Sequence, residues 1–524
     1  MKHFAFALLL GISTLVAEPG ADIARVFAQA AEGKPLSYVA MGGSITEGGQ
    51  GWIGEWLKVT FPNSEVTVEN AAIGGTGSDL GVFRLARDVI AHDPDLVVIE
   101  FSVNDTPLSD EEAIRSMETL VVRLKSLPKP PAILVLYTAM QGGVNLARHQ
   151  AVARHYGLFD VNLQAAVDEK LKKDNLPWST FFPDAVHPNP TGHDFYRQVL
   201  IEKLTPLARN AKFLAALDKP LPTPLSKIPL LLDATMIPFA DFATEGWTIA
   251  DPKVPEENRF SKILVSDKPG AHFSIPIRAG TIGIFFRANR ALGPFLFSLD
   301  GQVPRQIATN NSSAHFYRIY HRDLPAAEHT IHIASPQPWR EGGDSIPTRL
   351  GYLLVADHFH ADVPRAAQGP HDAARLGQLR FAIPLGEWEW TGITPLTDDA
   401  KSATSLSEDL PQEAASLTWK PFPAPTSAWT DLLAIDPSQT PGMANFRLTF
   451  DSDADRATLL RFSADYFARI WLNGKPLDII TGQQGIPPNP LFLPVQLHKG
   501  SNTLLISLVS GSRGFGFTLG LEAP

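Results

Sequence analysis

The sequence predicts an α/β domain, a parallel sheet with helices on both faces, followed by two all-β sandwich domains. Three observations carry this. Between about residues 36 and 207, short runs rich in Val, Ile and Leu alternate with longer stretches of helical periodicity, as a parallel sheet with crossover helices requires. Beyond that point helical periodicity disappears, and short strands with tight-turn signals take over. A chain of 524 residues is also too long for one hydrophobic core and suggests about three units.

The N-terminus, "MKHFAFALLLGISTLVAEPG", has a basic start at Lys2 and His3, an apolar run from Phe4 to Leu10 and small residues up to Ala17. This is the layout of a secretory signal peptide over residues 1–17, implying a secreted or periplasmic protein. The apolar run is too short for stable insertion in a membrane. "LSYVAM", "EVTVENAA", "DLVVIEFS" and "AILVLYT" read as strands buried on both faces. Between them, "DLGVFRLARDVIAH" sets Leu80, Phe83 and Ile90 near one helical face with Asp79 as N-cap, and "SDEEAIRSMETLVVRLKSL" repeats that pattern after Ser109. The proline-rich "LDKPLPTPLSKIPLLL" reads as a stiff connector. Strands follow in "GTIGIFFRA", "PFLFSLDGQ" and "HTIHIAS", with Asp300-Gly301 as a hairpin turn. A loose stretch, "ADVPRAAQGPHDAARLGQ", precedes a last β-rich block with a turn at Asn473-Gly474. The expected domains are residues 18–215, 233–357 and 379–524.

The formal net charge of −10 is spread along the chain, so no surface is laid out to neutralise a phosphate backbone and nucleic acid is not an expected partner. The absence of cysteine fits export without disulfides. His358 and His360 in "ADHFHAD" lack a clear third ligand and read as surface residues rather than a metal site.

Chemistry gathers in the first domain. In "YVAMGGSITEGG" a strand breaks into Gly42 and Gly43 and then Ser44. Ligands of open α/β sheets bind at the carboxyl ends of the strands, where Ser44 would stand. The glycines are expected to allow a tight turn and keep side chains away from its hydroxyl. A serine exposed in this way is a nucleophile once a base takes its proton. "FFPDAVHPNPTGH" supplies the candidate base: Asp184 and His187 lie three residues apart, close enough for the carboxylate to fix the imidazole tautomer. Gly75 in "NAAIGGTGS" and Asn104 in "EFSVND" follow the second and third strands and offer donors for an oxyanion, with the Ser44 N–H as a third. Singly, each has a plainer reading, Gly75 as a loop residue and Asn104 as a cap for the helix near Ser109. Together they converge on one rim of one sheet.

These four blocks resemble those of the SGNH hydrolases, the GDSL-type esterase and lipase superfamily, over roughly residues 36 to 207. Gly43 stands where many members have Asp. The resemblance implies a three-layer αβα, flavodoxin-like domain. It also implies Ser44 as nucleophile, His187 as general base and then acid, and Asp184 as its orienter. Ser44, Gly75 and Asn104 would form the oxyanion hole. Ester hydrolysis would proceed through an acyl-serine, with no metal or other cofactor.

An exported hydrolase joined to two β-sandwiches resembles bacterial carbohydrate O-acetylesterases with accessory sandwiches, which implies an acetylated carbohydrate such as xylan as substrate. The final block resembles a galactose-binding-type jelly roll, and the middle block resembles sandwich modules beside such esterases. Trp388 and Trp390 in "EWEWTG" point to one face of a strand, either to stack on sugar rings or to pack a core. Trp52 either lines the acyl pocket or anchors the first helix. A lipid or short-chain acyl esterase, a sugar O-acyltransferase using the same serine, and an inactive glycan-binding protein remain as alternatives.

Overall fold

Five apolar runs become the parallel strands β1 (Leu36–Gly42), β2 (Val66–Asn70), β3 (Leu96–Glu100), β4 (Ala132–Tyr137) and β5 (Phe159–Asn162), in the sheet order β2-β1-β3-β4-β5. This is the flavodoxin-like order, in which the chain reverses direction beside β1 and opens a crevice at the carboxyl ends. The protein is seen as a computed structural model, which describes residues 19–209, 220–242, 244–252, 259–288, 293–307, 315–338, 347–360, 362–397, 403–425, 429–438, 441–480, 490–510 and 514–523. The expected signal segment 1–17 lies outside the described residues. Among the described residues no helix is long and apolar enough to cross a membrane.

The chain divides into two compact units, one running to Met236 with Leu354–Asp357, the other comprising Ile237–Leu353 and His358–Pro524. In the first, the strand period of two feeds two cores. Tyr38, Ala40, Leu96, Val98, Leu134 and Leu136 pack with Phe27 of α1 (Ala21–Ala31) and Leu200 of a late helix. The intervening Val39, Met41, Val97, Ile99, Ile133 and Val135 are equally buried. Strands β3 and β4 are therefore buried throughout, and Glu100 at the end of β3 is their one carboxylate. β2 departs from expectation. It is an edge strand with Thr67 exposed, because the sheet covers only one of its sides.

The remaining helices of this unit are α2 (Ser44–Gly48), α3 (Gly54–Thr60), α4 (Ser78–Asp88), α5 (Asp110–Lys125), α6 (Ala147–His155), α7 (Leu163–Lys173) and α8 (Pro190–Arg209). α5 starts at a capping box: the Ser109 hydroxyl accepts from Glu112 N–H and the Glu112 carboxylate accepts from Ser109 N–H, both at 3.3 Å. Asn104 is thus not its cap. Nor is Asp79 the cap of α4. The N-cap is Gly77, and the first turn is satisfied from 27 residues downstream, where the Asp105 carboxylate accepts from Ser78 N at 2.8 Å and Ser78 Oγ at 2.6 Å. The His149 ring completes that buried cluster at 2.9 Å, with neither its side chain nor that of Asp105 exposed. Asp105→Ala would strand three donors away from water, so we expect a stability loss of about 3–5 kcal/mol in denaturant unfolding. A loss below about 1 kcal/mol would show that water takes over the carboxylate's work.

The connector is not freestanding. Leu225 N and Ser226 N donate to Glu118 at 2.7 and 2.8 Å, Lys227 N donates to Glu111 at 2.6 Å, and Arg115 donates to the Pro229 carbonyl at 2.6 Å. Proline stiffens this segment, and carboxylates of α5 hold it.

The second unit is antiparallel. Phe295–Leu299 pairs with Arg305–Ile307 and with Glu328–Ala334, which pairs with His272–Ala288. Asp300 and Gly301 take φ of +53° and +62°, as the primed turn requires. In the last block the 17-residue strand Arg456–Leu472 gives its first half to Leu491–Leu497 and Gly516–Glu522, and its second half to Gly500–Ser510 and Lys475–Ile480. Residues of both sheets, such as Phe462 and Leu519, Ile470 and Ile506, meet in one core. The stretch expected to separate the two blocks does not isolate them. It holds a helix, Ala373–Gln378, capped by Asp372, and Leu376 and Leu379 join Leu296 and Ala334 of one block to Leu459 and Phe492 of the other.

Candidate active site

Two glycines precede Ser44 because the space above them is taken. A Cβ on Gly42 would lie 2.0 Å from Thr46 Oγ1 and 2.8 Å from the Glu100 carbonyl, and one on Gly43 would lie 2.1 Å from Asn104 Oδ1. Gly43 has φ −95°, so conformational freedom is not the reason. What the missing side chains admit is Thr46 and Asn104, which the sequence did not indicate.

Ser44 opens α2, whose first N–H groups have no intrahelical acceptor. Its hydroxyl donates to His187 Nε2 at 2.9 Å, and His187 Nδ1–H donates to Asp184 Oδ2 at 2.8 Å. With the proton on Nδ1, Nε2 is the acceptor. The Asp184 carboxylate also takes Val186 N at 2.8 Å and His187 N at 2.7 Å through Oδ1. Desolvation raises the carboxyl pKa, but these backbone donors and the His187 ring outweigh it, and the net value is lowered to about 2. The side chains of His187 and Asp184 are 47% and 52% exposed, so the site is open rather than sealed.

The loop carrying this pair is clamped on several sides. Trp178 Nε1 donates to the Asp184 carbonyl at 2.7 Å while its ring stacks on Phe182 at 4.0 Å. Gln141 N donates to the Ala185 carbonyl at 2.8 Å. Asn189 bonds Phe181 O through its N–H at 2.7 Å and Thr180 O through its amide at 3.1 Å, then caps α8 by accepting from Gly192 N at 2.9 Å. None of Trp178, Gln141 and Asn189 was anticipated from sequence.

Gly75 occupies the turn after β2 with φ +73°, where a side chain would be strained although space is open. Its neighbour Gly74 comes closer: a Cβ there would lie 3.5 Å from Ser44 Cβ and 2.9 Å from Glu47 Oε2. The loop bearing Asn104 is held by Arg148, which donates to the Asp105 and Leu108 carbonyls at 2.7 and 2.9 Å. Beneath α2, the fully buried Glu100 accepts from Thr46 Oγ1 at 2.9 Å and Thr138 Oγ1 at 2.7 Å. Burial raises its pKa more than the two hydroxyl donors lower it. A carboxylate in an otherwise aliphatic, doubly buried strand was the sequence signal for this support.

Between the two readings of each tryptophan the structure decides. Trp52 is 3% exposed and belongs to the core beside Ile53 and Leu57. Trp388 is 4% exposed and stacks on Phe517 at 6.1 Å. Both are core residues with no open ring face, which corrects the expectation of an acyl-pocket or sugar contact. Trp390, half-buried, packs on Phe422 at 5.1 Å and Phe446 at 6.1 Å.

The GDSL-like lipase/acylhydrolase family model matches residues 40–195, a span that holds Ser44, Asn104, Asp184 and His187. The chain carries a GDSL-like hydrolase domain. It is a carboxylic ester hydrolase. Among solved structures, the chain is similar to a two-domain esterase (CEX) active on acetylated mannans, at 23% identity and a TM-score of 0.59 over 66% of this chain and 97% of that one. A second structure of that esterase, co-crystallised with mannopentaose, matches at 23% identity and TM-score 0.58 over the same shares, 66% and 97%. Axe2, an acetylxylan esterase from Geobacillus stearothermophilus, matches at 22% identity and TM-score 0.29, over 35% of this chain and 98% of that one. No curated protein matches the chain. At these identities the likeness speaks for the fold, and the GDSL-like domain's chemistry has to be read from its own geometry.

Proposed function

We propose that the chain is a secreted serine esterase that removes O-acetyl groups from a polysaccharide or oligosaccharide. The observation that carries this is the hydrogen-bond chain from Ser44 through His187 to Asp184, 2.9 and 2.8 Å long, standing open at the carboxyl edge of the sheet. His187 Nε2 takes the hydroxyl proton as Ser44 Oγ attacks the acetyl carbonyl. The imidazolium, steadied by Asp184, then returns a proton to the departing sugar oxygen. Water, activated by the same imidazole, hydrolyses the acetyl-serine and frees acetate. The Ser44 and Gly75 N–H groups and the Asn104 amide are the proposed oxyanion donors.

Half-exposed His187 and Asp184 suit a polymer lying across the rim better than an acyl tail held in a tunnel. The structural neighbour active on acetylated mannans supports the same substrate class. Export by the N-terminal segment, and domain limits at 18–215, 233–357 and 379–524, belong to this reading.

The test is acetate release across a panel of acetylated mannans, xylans and oligosaccharides, with expected turnover of acetyl esters at least about tenfold above long-chain esters. Equal hydrolysis of palmitoyl esters would move the reading to a lipid esterase. Preferential transfer to a sugar acceptor would make it an acyltransferase, and no turnover of any ester would leave a glycan-binding protein.

Gly43→Ala gives a further check. Its methyl would displace the Asn104 amide, so kcat is expected to fall about 10²–10³-fold with KM little changed. Unaltered kcat would remove Asn104 from the oxyanion hole.

A further inference from the structure

The middle β block holds a cavity of about 680 Å³, within the range of small-ligand pockets. Its walls come from strand Phe295–Leu299 and the turn after it, from Arg305 and His321, and from residues 324–327 and 364–367, which are apolar except for Arg365.

The charges there are one-sided. Asp300 is the sole carboxylate lining the cavity among the described residues, and it is spent: His329 Nδ1–H donates to it at 2.7 Å, Thr330 N at 2.7 Å and Gln368 at 3.3 Å. The cation Arg365 is paired with Glu328 at 3.4 Å. Arg305 is exposed and has no ion-pair partner among the described residues. Beside it His321 stacks on Phe297, with ring centroids 5.6 Å apart. Burial, with the Arg305 and His329 charges, lowers the His321 pKa to about 4. At neutral pH that ring is uncharged, with one donor and one acceptor nitrogen. In a chain of net charge −10, this cavity presents an unneutralised guanidinium, a neutral imidazole, the polar Gln302 and an apolar Pro/Ala wall.

We propose that this cavity binds a uronosyl unit, a sugar ring bearing a carboxylate, as an anchoring site separate from Ser44. Arg305 forks onto the carboxylate, which matches guanidinium geometry. His321 and Gln302 take ring hydroxyls, and the CH face lies on Pro325 and Ala366. The saccharide identity rests on the polysaccharide reading above, whereas the anion rests on Arg305 alone.

The experiment is calorimetric titration of the full chain at neutral pH with methyl glucuronoside, methyl glucoside, acetate and inorganic phosphate. The glucuronoside is expected to saturate and methyl glucoside to bind at least about tenfold more weakly, the worth of one charge-assisted bidentate contact. Arg305→Ala, at an exposed position, is expected to keep the melting temperature and the rate on a simple aryl acetate while losing glucuronoside binding by a similar factor, partly restored in Arg305→Lys. Absence of saturable glucuronoside binding, equal binding of methyl glucoside, or binding indifferent to Arg305→Ala would each overturn the proposal. Acetate or phosphate binding as tight as the glucuronoside would reduce the site to a bare anion hole and overturn it too. These readouts are independent of ester turnover, so failure here leaves the esterase reading standing, and an inactive enzyme leaves this site testable.

Discussion

Ser44→Ala is expected to lower turnover of a simple acetyl ester by about 10⁴–10⁶-fold, the range seen when a serine nucleophile is removed from a preorganised site. The fold should not notice. Ser44 is only partly buried, its side chain's one hydrogen bond among the described residues reaches His187, and α2 is anchored by Thr46 on Glu100. Unfolding free energy should therefore stay within about 0.5 kcal/mol of the parent. Measuring kcat and denaturant unfolding on the same preparation decides the matter. Activity within tenfold of the parent, with folding unchanged, would mean that another group attacks the ester and that the hydrogen bond to His187 is incidental.

The second large effect belongs to Asp184→Asn. The substitution keeps shape but exchanges an anion that accepts three N–H groups for an amide, which can turn a donor toward His187 Nδ1 and leave Nε2 carrying the proton. We expect kcat to fall by about 10³–10⁴-fold at neutral pH. The pH dependence carries a second signature. Because the Asp184 pKa is lowered to about 2, its carboxylate stays ionised throughout the working range, and no inflection of kcat/KM above about pH 3 should belong to it. The sign for stability follows from the same shift: a pKa lowered from 3.8 stabilises the fold above 3.8, and that contribution is lost as pH falls toward 2. Acid unfolding of the variant should be flatter across that window. A variant within tenfold of the parent at neutral pH would show that the imidazole needs no carboxylate to hold its tautomer.

Much of the first domain was legible because the deciding interactions are local. Continuous Val, Ile and Leu runs mark β3 and β4, since strands covered on both faces have no polar side. Ser109 and Glu112 announce the start of α5 within a single turn. Asp184 and His187 can meet because three residues of backbone suffice to bring a carboxylate to a ring nitrogen. The hairpins at Asp300-Gly301 and Asn473-Gly474 follow from which residues tolerate positive φ.

The misreadings have one physical cause: burial and partnership are set by what packs against a residue, and that partner is usually far along the chain. Asp79 was a reasonable cap for α4 until Asp105 arrived from the next loop. Trp388 alternates along its strand as a sugar platform would, and only Phe517, from the far end of the chain, turns it into core. Gly43 suggested a tight turn, and only the fold shows that its lack of a side chain also answers to an amide 61 positions later.

Residue order alone was thus enough to establish the strand and helix succession, the hydrolase family likeness and the identity of the candidate nucleophile, base and orienter, because short-range stereochemistry and apolar periodicity carry that information. Folding in three dimensions settled which strand is an edge, what occupies the space above the two glycines, and which aromatic rings are out of reach, since close packing is a property of surfaces that meet only after the chain has returned upon itself.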